Sequence, residues 1–150
     1  MSNKIDIEVK LEENLEKTKI VIYAKQMDEE VSSLLKRLQE PKEETLIGFK
    51  EEQAYILSFK EIESIYTEER KIIAKTKNET YILKRRIFEL EEILSNYNFV
   101  RISNSEIVNF KKVESLDFKI TGTMMIKLSS GYITYASRRY IQKVKEYLGL

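Results

Sequence analysis

The chain is 150 residues long, with 42% hydrophobic and 34% charged residues, which is enough apolar material for one ordinary domain and a small extra module. It holds neither cysteine nor histidine, so disulfides, zinc knuckles and thiol chemistry are excluded, and the commonest general base and transition-metal ligand is missing. The formal net charge is +1 but unevenly spread: residues 1–44 hold 8 Lys/Arg against 11 Asp/Glu, residues 45–99 hold 9 against 10, and residues 100–150 hold 9 against 4, so a polyanion would be drawn to the last third.

The Met-Ser-Asn-Lys start lacks a basic stretch followed by an apolar one, and no apolar run approaches the length of about 18 residues needed to span a bilayer. A soluble cytoplasmic protein is expected. The first segment alternates at Ile5, Ile7, Val9 and Leu11, as a half-buried strand does, and residues 20–24 read as a second strand. Asp28, Glu29 and Glu30 then precede Val31, Leu34, Leu35 and Leu38, the stripe of an amphipathic helix with acid in its first turn. Residues 1–44 are therefore expected to form a β-β-α module. Pro41, the only proline, is followed by the charged Lys42-Glu43-Glu44 and marks the boundary. This front piece is too short for a doubly wound phospho-acceptor domain. Its acidic character and leucine-striped helix suit dimerisation or the docking of a regulator.

Residues 45–150 form the main domain. Short apolar segments at 46–49, 54–59, 62–66, 72–76 and 80–83, each broken by polar residues, predict a β-rich body with meander connections. Ile87, Leu90, Leu94 and Tyr97 share one face of a helix beginning near Arg85; Tyr140, Ile141, Val144, Tyr147 and Leu148 do the same near the C-terminus, with Ser137 placed to cap that helix and Gly149 to end it. Ser103-Asn104-Ser105-Glu106 has the form of a capping box, which predicts a helical turn whose free backbone N–H groups could hold a phosphate. Strands resume at 113–119 and 123–128, and Ser129-Ser130-Gly131 is a turn before a strand at 132–136. The expected class is α+β, mostly β with small helices.

Two runs stand out: Phe99-Val100-Arg101-Ile102-Ser103-Asn104-Ser105-Glu106-Ile107-Val108-Asn109, followed by Val113-Glu114-Ser115-Leu116, and Tyr135-Ala136-Ser137-Arg138-Arg139-Tyr140. With them, the chain from Thr45 onward resembles the LytTR family of bacterial DNA-binding domains. That resemblance implies an elongated, mostly β fold whose loops, in place of a recognition helix, enter successive major grooves of double-stranded DNA. It implies DNA-facing roles for Arg70, Asn104 and Arg139, two protomers on paired direct repeats and, for some stand-alone members, restraint by a small membrane protein.

The chemistry of these side chains suits the roles. An arginine can bond guanine O6 and N7 in parallel and an asparagine can pair with adenine N6 and N7, each worth about 1–3 kcal/mol of discrimination. Lys71, Ser103, Lys111 and Arg138 suit phosphate contacts, which position without reading sequence. Where many members carry His, this chain carries Ser103, whose reach is shorter. Without the resemblance, Asn104 could equally cap a turn, and Arg138 and Arg139 could be the solvated face of a helix. A domain of this fold acting through a partner protein is the competing reading. No nucleophile motif or Gly-rich phosphate loop is present, so no catalytic residue, cofactor or metal ligand is assigned.

Overall fold

A computed structural model describes residues 5–39, 44–118 and 122–150. The chain divides into two compact units, Met1–Pro41 and Lys42–Leu150. The charged linker expected around Pro41 lies largely outside the described residues, as do Lys119 and its two successors.

In the first unit, helix α1 spans Glu29–Gln39. Asp28 starts it by accepting the Val31 N–H at 2.9 Å, with Glu29 and Glu30 in the first turn and Lys36 and Arg37 in the last, the polarity the helix dipole favours. The β-β part of the expected module does not form. No strand pairing occurs among the described residues before α1, and Ile7 and Leu11 stay 87% and 92% exposed. Alternating apolar residues specify a strand only where a sheet or helix covers their face, and two short strands alone are marginal in water. No α1 residue is buried either.

Among its described residues the second unit holds ten strands: β1 Thr45–Lys50, β2 Gln53–Ser58, β3 Ser64–Glu68, β4 Lys71–Lys75, β5 Thr80–Leu83, β6 Phe99–Ser103, β7 Glu106–Asn109, β8 Val113–Phe118, β9 Met124–Leu128 and β10 Ile133–Ala136. Helix α2, Ile87–Leu94, lies between β5 and β6, and α3, Arg138–Leu148, closes the chain. The pairings are antiparallel and build a seven-stranded sheet ordered β2-β1-β5-β4-β3-β7-β6 and a three-stranded sheet ordered β10-β9-β8.

Strands β6 and β7 are shared between two cores. Phe99 and Ile107 point into one, with Leu46, Leu57, Ile62, Ile65, Leu83 and the α2 residues Leu90 and Leu94. Val100, Ile102 and Val108 point into the other, with Met124, Ile126 and Leu128 of the second sheet and Val144 of α3. Burial on both faces explains why apolar residues stand side by side at Phe99-Val100 and Ile107-Val108, where a strand covered on one face would alternate. Gly48 has no room for a side chain, since a Cβ there would lie 2.7 Å from Leu57 Cδ1 and 2.8 Å from Tyr81 Cβ.

The expected helical turn at Ser103 does not form. Ser103 ends β6, Glu106 starts β7, and the two are paired across a tight Asn104-Ser105 turn. The capping-box pattern is overridden because Glu106 is needed inside. Its carboxyl accepts from Ser64 Oγ at 2.5 Å, Thr134 Oγ1 at 2.5 Å and Tyr132 Oη at 2.8 Å, which ties the larger sheet to the smaller one. Burial, followed by the charge and hydrogen bond of Glu106, raises the Tyr132 phenol above its ordinary pKa. Gly149 ends α3 with φ +77°, as expected, and Ser137 occupies the N-cap position; its side chain makes no capping bond, while its backbone N–H donates to Ile102 O at 2.9 Å.

Candidate nucleic-acid interface

The register fixes which turns lie together. Tyr66 pairs with Glu106 and the Thr67 N–H donates to Ser105 O at 2.9 Å, so the β3–β4 turn carrying Arg70 and the β6–β7 turn carrying Asn104 emerge at the same end of the sheet. The bond from Ser137 to Ile102 brings the start of α3, with exposed Arg138 and Arg139, to that end as well. Arg138 lies over Gly122, its Nε 3.0 Å from where a Cβ would stand.

Asn104 is held from two sides, and the carbonyl before it is held as well. Tyr140 Oη donates to its Oδ1 at 2.8 Å, and Arg101 donates through Nη2 to its backbone oxygen at 2.7 Å and through Nε to Ser103 O at 3.1 Å. The third arm of Arg101 reaches Glu91 Oε1 at 3.4 Å, and Lys143 Nζ holds Glu91 Oε2 at 2.7 Å. Burial works against ionisation of Glu91, but Lys143 and then Arg101 outweigh it and hold its carboxyl below the ordinary value of 4.5. Helices α2 and α3 thereby fix a turn that belongs to neither.

Ser103 closes this turn locally, its Oγ accepting the Ser105 N–H at 3.2 Å and lying 3.4 Å from Ser105 Oγ. Lys111 stands elsewhere. It follows β7 in a short 3-10 turn, Phe110–Lys112, so the length of that strand, roughly 13 Å, separates it from Asn104. Of the expected contact residues, Arg70, Lys71, Ser103, Asn104, Arg138 and Arg139 share one end of the domain and Lys111 does not.

Sequence reasoning passed over two features at this end. Arg101 and Tyr140 lay inside the quoted motifs but their grip on Asn104 depends on a bulge in the β6–β7 register and on the docking of α3. The other is the run Lys84-Arg85-Arg86, three consecutive cations between β5 and α2, of which the sequence reading names only Arg85, as the start of a helix.

A family model described as the LytTr DNA-binding domain matches residues 52–149. The chain belongs to the LytTR family. The fold agrees with LytTR membership: a LytTr DNA-binding domain from Bacillus cereus superposes with a TM-score of 0.69 at 17% identity, covering 73% of this chain and 100% of that one. Among curated relatives, proteins named uncharacterized HTH-type transcriptional regulators from Staphylococcus aureus strains NCTC 8325 and MRSA252 are 33% and 32% identical over 132 residues, covering 87% of this chain and 89% of theirs. Among the described residues of this LytTR chain, strands separate α1, α2 and α3, so no two of these helices are joined by a short turn.

Proposed function

We propose that this LytTR chain is a sequence-specific transcriptional regulator that places loop side chains in the major groove of double-stranded DNA. The observation that carries the reading is the shared end of the Arg70 turn, the Asn104 turn and the first turn of α3, with Asn104 locked in place by Tyr140 and Arg101. Base readout needs donors held rigidly at the tip of a scaffold, because discrimination is lost when the side chain can relax onto the wrong base edge. Asn104, Arg139 and Arg70 are the base readers in this reading; Lys71, Ser103 and Arg138 contact phosphates on the same face, and Lys111 does so at a distance.

The finer calls are proposals of the same kind. Two protomers occupy paired repeats, the protein works in the cytoplasm, and a small membrane protein restrains it, as the family resemblance suggests. No helix among the described residues is long and apolar enough to cross a membrane. Exposed Ile7, Val9 and Leu11, together with the apolar stripe of α1, support self-association through the first unit.

Selection of bound fragments from random DNA, followed by titration of variants across a salt series, tests the core reading. Arg139→Ala should relax preference at one base position, whereas Lys111→Ala should weaken matched and scrambled duplexes alike and shrink the salt slope by about one. Equal effects of Arg139→Ala on both duplexes would defeat the readout claim. No enrichment even at low salt, with a protein co-purifying instead, would favour the partner-binding alternative.

A further inference from the structure

We infer that a groove beside the Arg70 turn, rimmed by Arg70, Lys71, Lys84, Arg85 and Arg86, is a separate clamp for the DNA phosphate backbone. This rests on the DNA-binding reading and extends it to residues outside the loop and α3 motifs. The groove has a volume of about 550 Å³ and lies where β4 begins and β5 ends, floored by Ile72, Leu83 and Ile87.

Its charge is the argument. Ile72 pairs with Leu83 at the end of the ladder, so Lys71 and Lys84 each stand one residue beyond it at the same end, and the chain then continues through Arg85 and Arg86 into α2. Like charges gathered at one end of a strand pair destabilise each other. Here five cations, all exposed, share one rim, and Glu89 is the single acid in the lining. None of the five is in an ion pair among the described residues, although Glu68 stands opposite Lys71 in the hairpin register. Lys84 Nζ rests 4.2 Å from the centre of the Phe49 ring, which fixes its stem without neutralising it.

A repulsive cluster of this kind is stabilised by a polyanion, and this one opens at the same end of the sheet as the Asn104 turn. A duplex seated on that turn can continue across the groove, with phosphate oxygens meeting the guanidinium groups of Arg85 and Arg86. Lys84, Arg85 and Arg86 add affinity and orientation to what Arg70 reads and carry no base information themselves.

The test uses the full chain on its selected duplex, with binding measured by anisotropy from low to high salt and contacts mapped by hydroxyl-radical footprinting. The variants are the triple Lys84→Ala/Arg85→Ala/Arg86→Ala and the milder Arg85→Gln/Arg86→Gln, which leaves Lys84 on Phe49, each checked for a thermal midpoint no lower than that of the unmodified chain. In the triple variant, affinity should fall on the order of 10–100-fold near 0.1 M salt, equally for matched and scrambled duplexes, and the salt slope should shrink by about 2–3. Protection should vanish on one flank and persist at the centre. Unchanged affinity, slope and footprint in both variants, while Asn104→Ala still abolishes discrimination, would overturn the clamp and leave the DNA-binding reading standing. Failure of the unmodified chain to bind any duplex would remove that reading as well. Binding of a polyglutamate peptide that the triple variant loses, with DNA affinity unaltered, would assign the groove to an acidic protein segment and overturn the proposal.

Discussion

Tyr140 Oη donates a 2.8 Å hydrogen bond to Oδ1 of Asn104, so the first turn of α3 sets the direction of a side chain 36 positions earlier in the chain. The carboxamide oxygen retains a second lone pair and the nitrogen both of its protons, the pattern an adenine edge requires. Tyr140→Phe should therefore leave the fold intact and lower the matched-to-scrambled affinity ratio by about 3–10-fold, the equivalent of one hydrogen bond of roughly 1 kcal/mol. Competition binding with both duplexes measures it. A fall in overall affinity with the ratio preserved would show that Tyr140 touches DNA itself or only supports folding.

The buried Glu106 makes a different kind of link. Three hydroxyls from β3, from the approach to β10 and from β10 converge on one carboxyl, so its removal strands Ser64, Tyr132 and Thr134 together. Glu106→Ala should cost about 3 kcal/mol, and Glu106→Gln, which keeps one acceptor oxygen, about 1 kcal/mol. Urea unfolding would check the order. Equal, small losses for both would mean that water replaces the carboxyl and that the sheets are joined by apolar packing alone.

The contrast between Glu106 and its surroundings shows what was legible in the sequence. Strands β1, β2, β4 and β5, helices α2 and α3 and the stop at Gly149 were readable because each depends on local periodicity or on one residue's backbone freedom. Strand β3 starts two residues later than its apolar run because Phe59–Glu61 makes a 3-10 turn and Ile62 is buried ahead of the ladder. The Ser103-Asn104-Ser105-Glu106 turn was misread because a capping box and a hairpin ending in a buried glutamate look alike until the donors for that carboxyl are known. The strands expected before α1 failed for the opposite reason: their pattern is right, but no sheet forms on that face among the described residues. The place of Asn104 in a turn between two apolar segments followed from its motif, whereas the cationic groove required knowing that the β4–β5 ladder ends at Ile72 and Leu83 and leaves Lys71 and Lys84 beyond the same end.

The Glu91 bridge gives the site a pH dependence. Its folded pKa is depressed, so the stabilisation it provides is complete above the unfolded value and is lost as pH falls through the folded one. Because Glu91 is partly exposed, the contribution is under about 1 kcal/mol. Glu91→Gln should be slightly less stable than the unmodified chain near neutral pH, and the difference should close on acidification below the ordinary carboxylate range, since Arg101 and Lys143 then lose their partner in both proteins. Parallel denaturation curves from neutral to acidic pH would show the convergence. A constant offset would mean that Glu91 acts through packing.

Two hairpins of the larger sheet share a strained turn for what we expect to be different reasons. Glu51 and Glu52 have φ of 48° and 67°, and Glu69 and Arg70 have φ of 49° and 67°, the left-handed pair that two-residue hairpins favour and that Asn-Gly fills most easily. Side chains with a Cβ are held there at a cost of roughly 1 kcal/mol each. Arg70 lies at the end of the sheet shared with Asn104, whereas Glu51 and Glu52 join the edge strand β2 to β1. Glu51→Asn/Glu52→Gly should raise stability by about 1 kcal/mol and leave DNA binding unchanged. Arg70→Gly should raise stability by a similar amount, about 1 kcal/mol, while lowering DNA affinity several-fold. Calorimetry and anisotropy on the two variants separate strain that is merely tolerated from strain retained to present a guanidinium. If Arg70→Gly gains stability and binds as well as the unmodified chain, Arg70 has no part in recognition.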